Sequence, residues 1–427
     1  MKYAFTNGIL LDGSENMEPI YNKTVLVNDG IIAAVTDDDI HFTGYETIDL
    51  HGQYLMPGLI NMHVHLAGSG KPPKGQRDNT KLVNLLFSNP VTAFAAKKMV
   101  EDFAKTALMS GVTTIRTVGG LKDFDTKIRD EILKGKLDGP RILASNQGIS
   151  VPGGHMAGSV AILVSTPEEA RQLVRRNAAE NVDLIKLMIT GGVMDAKEKG
   201  VPGELKMSPE IVAAACEEAH QLGYTVAAHT ESTEGVKVAL ENGVDSIEHG
   251  AAVTDEIIAL FKEKNAFVTT TLSPALPYAL FDRSESHISE VEQFNGNVVF
   301  EGIIENSKAA LENGIPVALG NDVGCPYITQ YDFWRELVYF HKFVGVSNRF
   351  ALYTATKRNA QLAGIGDLTG TIEQGKCADL IVTENNPLED LKALRHVTMV
   401  MARGFLYSHP KYRHLPAVEA ALDPYLD

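Results

Sequence analysis

Two histidines, His63 and His65, stand two residues apart at the end of an apolar run, LINMHVHL. On a β-strand that spacing turns both side chains to one face, so two imidazoles lie side by side and can share a divalent cation. Taken alone, the pair reads equally well as two polar residues entering a loop. Other residues of ligating or acid–base type mark further apolar runs: Lys186 in VDLIKLMIT, His229 in YTVAAHT, His249 in GVDSIEH and Asp322 in IPVALGND. Lys186 is flanked by Leu184, Ile185, Leu187, Met188 and Ile189, the pattern of a strand buried on both faces. An unpaired ammonium there costs several kcal/mol, so this lysine must be paired, neutralised or chemically altered. Singly, His229 and His249 each read as a hydrogen-bonded core histidine. Together, four histidines, a lysine and an aspartate at the ends of five such runs are hard to ascribe to coincidence.

Those runs belong to a regular alternation. Eight apolar strand-like segments (LINMHVHL, TTIRTV, RILASN, VDLIKLMIT, YTVAAHT, GVDSIEH, NAFVTTT, IPVALGND) are separated by helical stretches such as 91–109, 167–180, 208–222 and 300–313. Eight βα units over about 300 residues fit an α/β fold of the (β/α)8 TIM-barrel type, in which functional side chains gather at the C-terminal ends of the strands. An open doubly wound sheet fits less well, because no GxGxxG follows the first strand. Before Met56 and after Gly364 the pattern changes to short β-branched runs with Asp-Gly and His-Gly turns, the signature of hairpins. Both chain ends are therefore expected to form one small β-sandwich beside the barrel, dividing the chain into 1–57, 58–362 and 363–427.

The 427 residues suffice for such a barrel with an appendage. With 39 Lys+Arg against 54 Asp+Glu the net charge is -15, and no basic cluster stands out, which argues against a nucleic-acid partner. Cys216, Cys325 and Cys377 lie too far apart for a disulfide framework, as expected in a reducing compartment, with the cytoplasm as the default. No export signal or membrane-spanning apolar run is indicated.

The order HxH, Lys, His, His, Asp on a barrel flanked by a split β-sandwich resembles the metal-dependent amidohydrolase superfamily. The likeness is carried by PGLINMHVHL (57–66), IKLMITGG (185–192), AAHTES, SIEHG and GTIEQGKCADLIV (370–382), and covers nearly the whole chain. It is most similar to the branch containing Xaa-Pro dipeptidases, zinc carboxypeptidases acting on short N-blocked peptides, and imidazolonepropionase-like proteins. The resemblance implies a hydrolase that cleaves an amide-type C–N bond in a small-molecule amide or peptide, using a hydroxide that bridges two divalent ions. Zinc suits so imidazole-rich a set. His63, His65 and Asp322 would bind the more buried ion and His229 and His249 the more exposed one. Lys186, as a carbamate formed with CO2, would bridge them, an anionic form that also removes the buried positive charge. Asp322 would double as general base and then as proton donor to the leaving nitrogen. His155, in the loop VPGGHMAG, matches a histidine that hydrogen-bonds the scissile carbonyl oxygen. Barrels of this kind often pair, so a homo-oligomer is expected.

Several positions depart from the branch. Thr117 follows Arg116 where relatives more often carry an acid, and TESTEG after His229 lacks the tyrosine by which the dipeptidases bind substrate. Arg116 is expected either to clamp a substrate anion or to serve a structural ion pair. Tyr278, with Phe281 and His287, is expected to line or cover the pocket. Lys71, Lys74, Arg77 and Lys81 give the insertion after the first strand a basic lip, which either attracts an anionic substrate or is a solvated loop. Two other readings stay open. One is a mononuclear deaminase or imidazolonepropionase, which carries HxxE after the fifth strand; here Glu231 is two residues after His229, not three. The other is a non-catalytic scaffold, disfavoured because all six ligand positions are filled.

Overall fold

Residues 1–38, 42–72 and 79–427 are described in a computed structural model of the chain. Eight barrel strands follow one another: Leu59–Val64, Val112–Thr117, Arg141–Leu143, Leu184–Met188, Thr225–Thr230, Ser246–His249, Phe267–Thr270 and Val317–Leu319. The first three pair in parallel, as do the last five. The Asp183 amide donates to the Ala144 carbonyl at 2.7 Å, linking the third strand to the fourth. The turn after the eighth strand bonds back onto the first: the Asp322 amide donates to the His63 carbonyl at 3.0 Å, and the His65 amide to the Val323 carbonyl at 2.9 Å. The fold is a (β/α)8 barrel with flanking β-sheets from the chain ends.

The sequence explains the layering. Every residue of Leu59–Val64, Val112–Thr117 and Leu184–Met188 is buried, as strands of a parallel sheet covered on both faces are. The outer helices begin on recognisable caps. The Asn89 side chain accepts from the Val91 and Thr92 amides before Pro90–Met109, Thr166 caps Pro167–Ala179, and Ser289 with Glu292 forms a capping box on Glu290–Glu312.

The third unit is more elaborate than one strand. After Arg141–Leu143 the chain turns through Asn146, whose φ of 55° is left-handed, and resumes as Gly148–Ser150 between Ala161–Leu163 and the fourth strand. Asn146 is pinned there by its carbonyl, which accepts from the Gly120 amide at 2.8 Å, and by its side chain, which donates to the Thr126 hydroxyl at 3.1 Å. The detour delivers the loop carrying His155 to the barrel mouth.

The chain ends share one core. Tyr54–Pro57 pairs antiparallel with Leu380–Thr383 and parallel with Ile9–Leu10, while Lys2–Thr6 lies between Lys23–Asn28 and Glu46–Asp49. Tyr3, Phe5 and Val25 from one end pack with Leu380, Val382 and Met401 from the other. Among the described residues, no helix is long and apolar enough to cross a membrane.

Candidate metal centre

The six marked residues converge at the C-terminal mouth of the barrel. Asp322 Oδ1 lies 3.4 Å from His63 Nε2 and 3.2 Å from His65 Nε2. The His249 ring centre is 4.8 Å from that of His63 and 4.7 Å from that of His229. Ligand atoms of His63, His249 and Asp322 all lie within 4.8 Å of one another, and so do those of His229, Glu231 and His249. Lys186, 1% exposed, is buried beside them.

Backbone conformation contributes to this convergence. Period-two alternation would send Glu248 and His249 to opposite faces of their strand, yet both reach His63. The φ of 68° at His249 breaks the alternation and turns its ring back over the mouth; Asp322, at 52°, does the same after the eighth strand. Left-handed backbone at non-glycine residues costs of order 1–3 kcal/mol, and the surrounding sheet holds it in place.

One ring nitrogen of each histidine is engaged by the protein. His63 Nδ1 is 2.7 Å from Glu248 Oε2, His65 Nδ1 is 2.8 Å from the Gly119 carbonyl, His229 Nε2 is 3.2 Å from the Gly191 carbonyl, and His249 Nδ1 is 2.7 Å from the Thr271 hydroxyl. The opposite nitrogen of each ring is thereby oriented for a ligand. Burial pushes His63 down to about 4, with the Lys186 charge adding to it against Asp322 and Glu248. Burial, with neighbouring positive charge, also holds His229 and His249 well below their ordinary value. These three rings are neutral at pH 7, the form that binds a cation. Burial alone would raise Asp322, but His63, His65 and His249 outweigh it and keep the carboxyl ionised. Burial lowers Lys186 to about 8.

Arg116 is placed differently from a substrate clamp. Its guanidinium lies under the site, donating to the Met62 carbonyl at 2.7 Å, Ser246 Oγ at 3.1 Å, Thr269 Oγ1 at 3.0 Å and Glu248 Oε1 at 2.6 Å. The structural ion pair is therefore the role its geometry supports, since every nitrogen already has a protein partner. Tyr278 lines the pocket above the histidines, with Met156, Val193, Pro274, Ala275 and Ile303. Phe281 packs against Tyr327 and Tyr425 instead, and His287 is exposed at the end of Arg283–Ser286. Lys71 and Lys81 are exposed, while Lys74 and Arg77 fall outside the described residues.

Sequence reasoning missed Glu248, Asp195 and Glu336. Glu248 stands in a short apolar run just as Lys186 does, so the same signal marked it. Glu336, fully buried, accepts from the Leu272 and Ser273 amides at 2.6 and 2.8 Å and so anchors the helix Leu272–Leu280 that carries Tyr278. Nothing periodic marks Asp195. It lies on a loop, with Oδ2 2.5 Å from His155 Nδ1.

Comparison with known proteins supplies the class: residues 54–406 match the Amidohydrolase family, and the chain belongs to it, a family of hydrolases acting on C–N bonds and generally metal-dependent. Over 460 aligned positions it is 27% identical to the ochratoxinase of Aspergillus niger, covering 98% of this chain and 89% of that protein. Among solved structures it is similar to a proposed prolidase from Bifidobacterium longum, at 36% identity and a TM-score of 0.87, covering 99% of this chain and 98% of that one. It is also similar to an Xaa-Pro dipeptidase solved with methionine in its active site, at 29% identity and a TM-score of 0.83, covering 96% and 100%.

Proposed function

We propose that the chain is a binuclear metal-dependent hydrolase cleaving the amide-type C–N bond of a dipeptide, an N-acyl amino acid or a related amide. The observation that carries this is a set of orphaned atoms. His63 Nε2, Asp322 Oδ1 and Lys186 Nζ are fully buried with no hydrogen-bond partner. Leaving such groups unsatisfied costs about 1–3 kcal/mol each, and more when charged. Neutral imidazoles and a carboxylate with free lone pairs fit divalent ions of the zinc type. In this reading His63, His65, Asp322, His229 and His249, with Lys186 as a carbamate, would hold two divalent ions.

Bound there, the two ions would polarise the scissile carbonyl and make water nucleophilic near neutral pH. Lys186 contributes its neutral amine, which adds CO2 and releases one proton to give the anionic carbamate. Asp322 accepts a proton from the attacking water and returns it to the leaving nitrogen. Its other oxygen, Oδ2, accepts from the Cys325 thiol at 3.4 Å. His155, in the same pocket, donates to the developing oxyanion. Tyr278 and its apolar neighbours receive the substrate's side groups. In the same reading 58–362 is the catalytic domain, and 1–57 with 363–427 forms the β-sandwich, as the core shared by both ends supports.

One observation favours the mononuclear alternative, the grouping of Glu231 with His229 and His249. Metal analysis decides between them. About two tightly held ions per chain, together with hydrolysis within a panel of Xaa-Pro dipeptides, N-acyl amino acids, carbamates and lactams, is the expected result. One ion with activity confined to cyclic amides or amidines would replace the binuclear reading.

A further inference from the structure

His155 is enclosed on three sides. Its ring stacks on His229 at 4.1 Å between centres and 3° between planes. Its edge meets Gly192, where an added Cβ would come within 3.1 Å of Cε1. Its Nδ1 lies 2.5 Å from Asp195 Oδ2, an oxygen that also accepts from the Gly192 amide at 2.9 Å. That second bond fixes the carboxylate to the turn Val193–Asp195, so ring and carboxylate are held by one short segment. An ionised carboxylate only accepts, so the proton of this contact belongs to Nδ1. Nε2 is then the one ring nitrogen left for a ligand, and His155 lines the pocket with His65, His229 and Asp322.

We propose that Asp195 is a positioning residue: by holding Nδ1–H of His155 it fixes the ring's orientation and presents Nε2 to the carbonyl oxygen of a bound amide. To donate from Nε2 the ring must carry a proton there as well as on Nδ1, and the imidazolium so formed is balanced by the Asp195 carboxylate, so the pair brings no net charge to the pocket. The loop that supplies Asp195 follows the fourth strand and the loop that supplies His155 follows the third. The pair therefore ties two mouth loops together around the substrate position.

Because the role of His155 belongs to the proposed function, the test separates the two. The zinc-loaded enzyme is compared with Asp195→Asn, His155→Ala and the double variant, on the best substrate from the Xaa-Pro and N-acetyl amino acid panel. Asp195→Asn is expected to lower kcat about 10–100-fold, the usual cost of losing a carboxylate that orients an imidazole, with KM and metal content nearly unchanged. In the His155→Ala background the same substitution is expected to change kcat less than twofold. Imidazole 15N spectra give a second readout that needs no substrate. The resonances lost in His155→Ala identify that ring, and in Asp195→Asn they are expected to shift. Unchanged resonances and kcat in Asp195→Asn, with His155→Ala impaired, would overturn the pairing alone. Losses that simply add in the double variant would reduce Asp195 to a structural role and overturn it too. An unimpaired His155→Ala would overturn both the pairing and the role given to His155.

Discussion

Glu248→Gln removes one charge from beneath the site and nothing from its surface. Glu248 Oε1 receives Arg116 at 2.6 Å, Ser246 Oγ at 2.5 Å and Thr269 Oγ1 at 3.2 Å, while Oε2 faces His63 Nδ1 at 2.7 Å. A glutamine keeps one acceptor oxygen but sets an amide donor against either Arg116 or His63. Breaking a buried pair on one side costs about 3–5 kcal/mol, because the remaining charge is left uncompensated. At about 2–4 °C per kcal/mol for domains somewhat smaller than this one, Tm should fall by roughly 6–20 °C. The loss of an acceptor behind a ligating imidazole adds a weakening of metal affinity of about 10–100-fold. Burial raises the Glu248 carboxyl, but Arg116 and His63 outweigh it and hold it well below its ordinary 4.5. A depressed carboxyl stabilises the fold above its unfolded value, and that stability is lost as pH falls through the folded value. The difference from wild type is thus full at pH 7 and shrinks progressively as pH falls below about 4.5. Thermal scans across pH and zinc competition with a chelator measure both effects. A Tm within about 1 °C of wild type at pH 7, with unchanged chelator resistance, would refute the orienting role of Glu248.

Lys186→Ala should lose most of one of two ions and nearly all activity, with partial recovery in short carboxylic acids; two ions retained in the variant would remove the bridge. Reconstitution of the apoprotein with zinc and bicarbonate should quicken as pH rises towards 8, because the neutral amine of Lys186 grows from roughly 1% at pH 6 to half at about 8; a rate flat between pH 6 and 8 would count against carbamate formation. Asp322→Asn should lower kcat by about 10²–10⁴ while part of the metal stays bound, and kcat near wild type would exclude it as the base. Glu336→Ala should free the Leu272 and Ser273 amides, raise KM by loosening the wall that carries Tyr278, and lower stability by about 1–3 kcal/mol, as denaturant titration would show.

The marks that were legible in the sequence are those that burial imposes on single residues. A histidine or lysine in an apolar run must be explained, and a barrel collects the ends of such runs in one place. Glu248 satisfied the same criterion, and it and His249 reach His63 from adjacent positions only because His249 is left-handed, which the sequence pattern does not show. For Arg116 the pattern offered two roles of equal weight, and what distinguished them, four acceptors arriving from the first, sixth and seventh strands, is a long-range arrangement. Asp195 and the interrupted third strand lie in loop sequence with no period, where placement depends on neighbours far along the chain. The alternation that identified eight strands was strong because both faces of each are covered.

The pairing of Tyr54–Pro57 with Leu380–Thr383 sets a timetable for the chain as it is made. The earlier strand leaves the ribosome with Ile9–Leu10 available on one edge, but its other edge stays open until about 325 more residues have been added. At 5–20 residues per second that wait lasts roughly 15–65 s. Throughout it, the nascent chain carries an apolar strand with one open edge next to the ligand pair His63 and His65. An open strand edge is a place where another chain can pair, and the topology fixes how long that exposure lasts during synthesis.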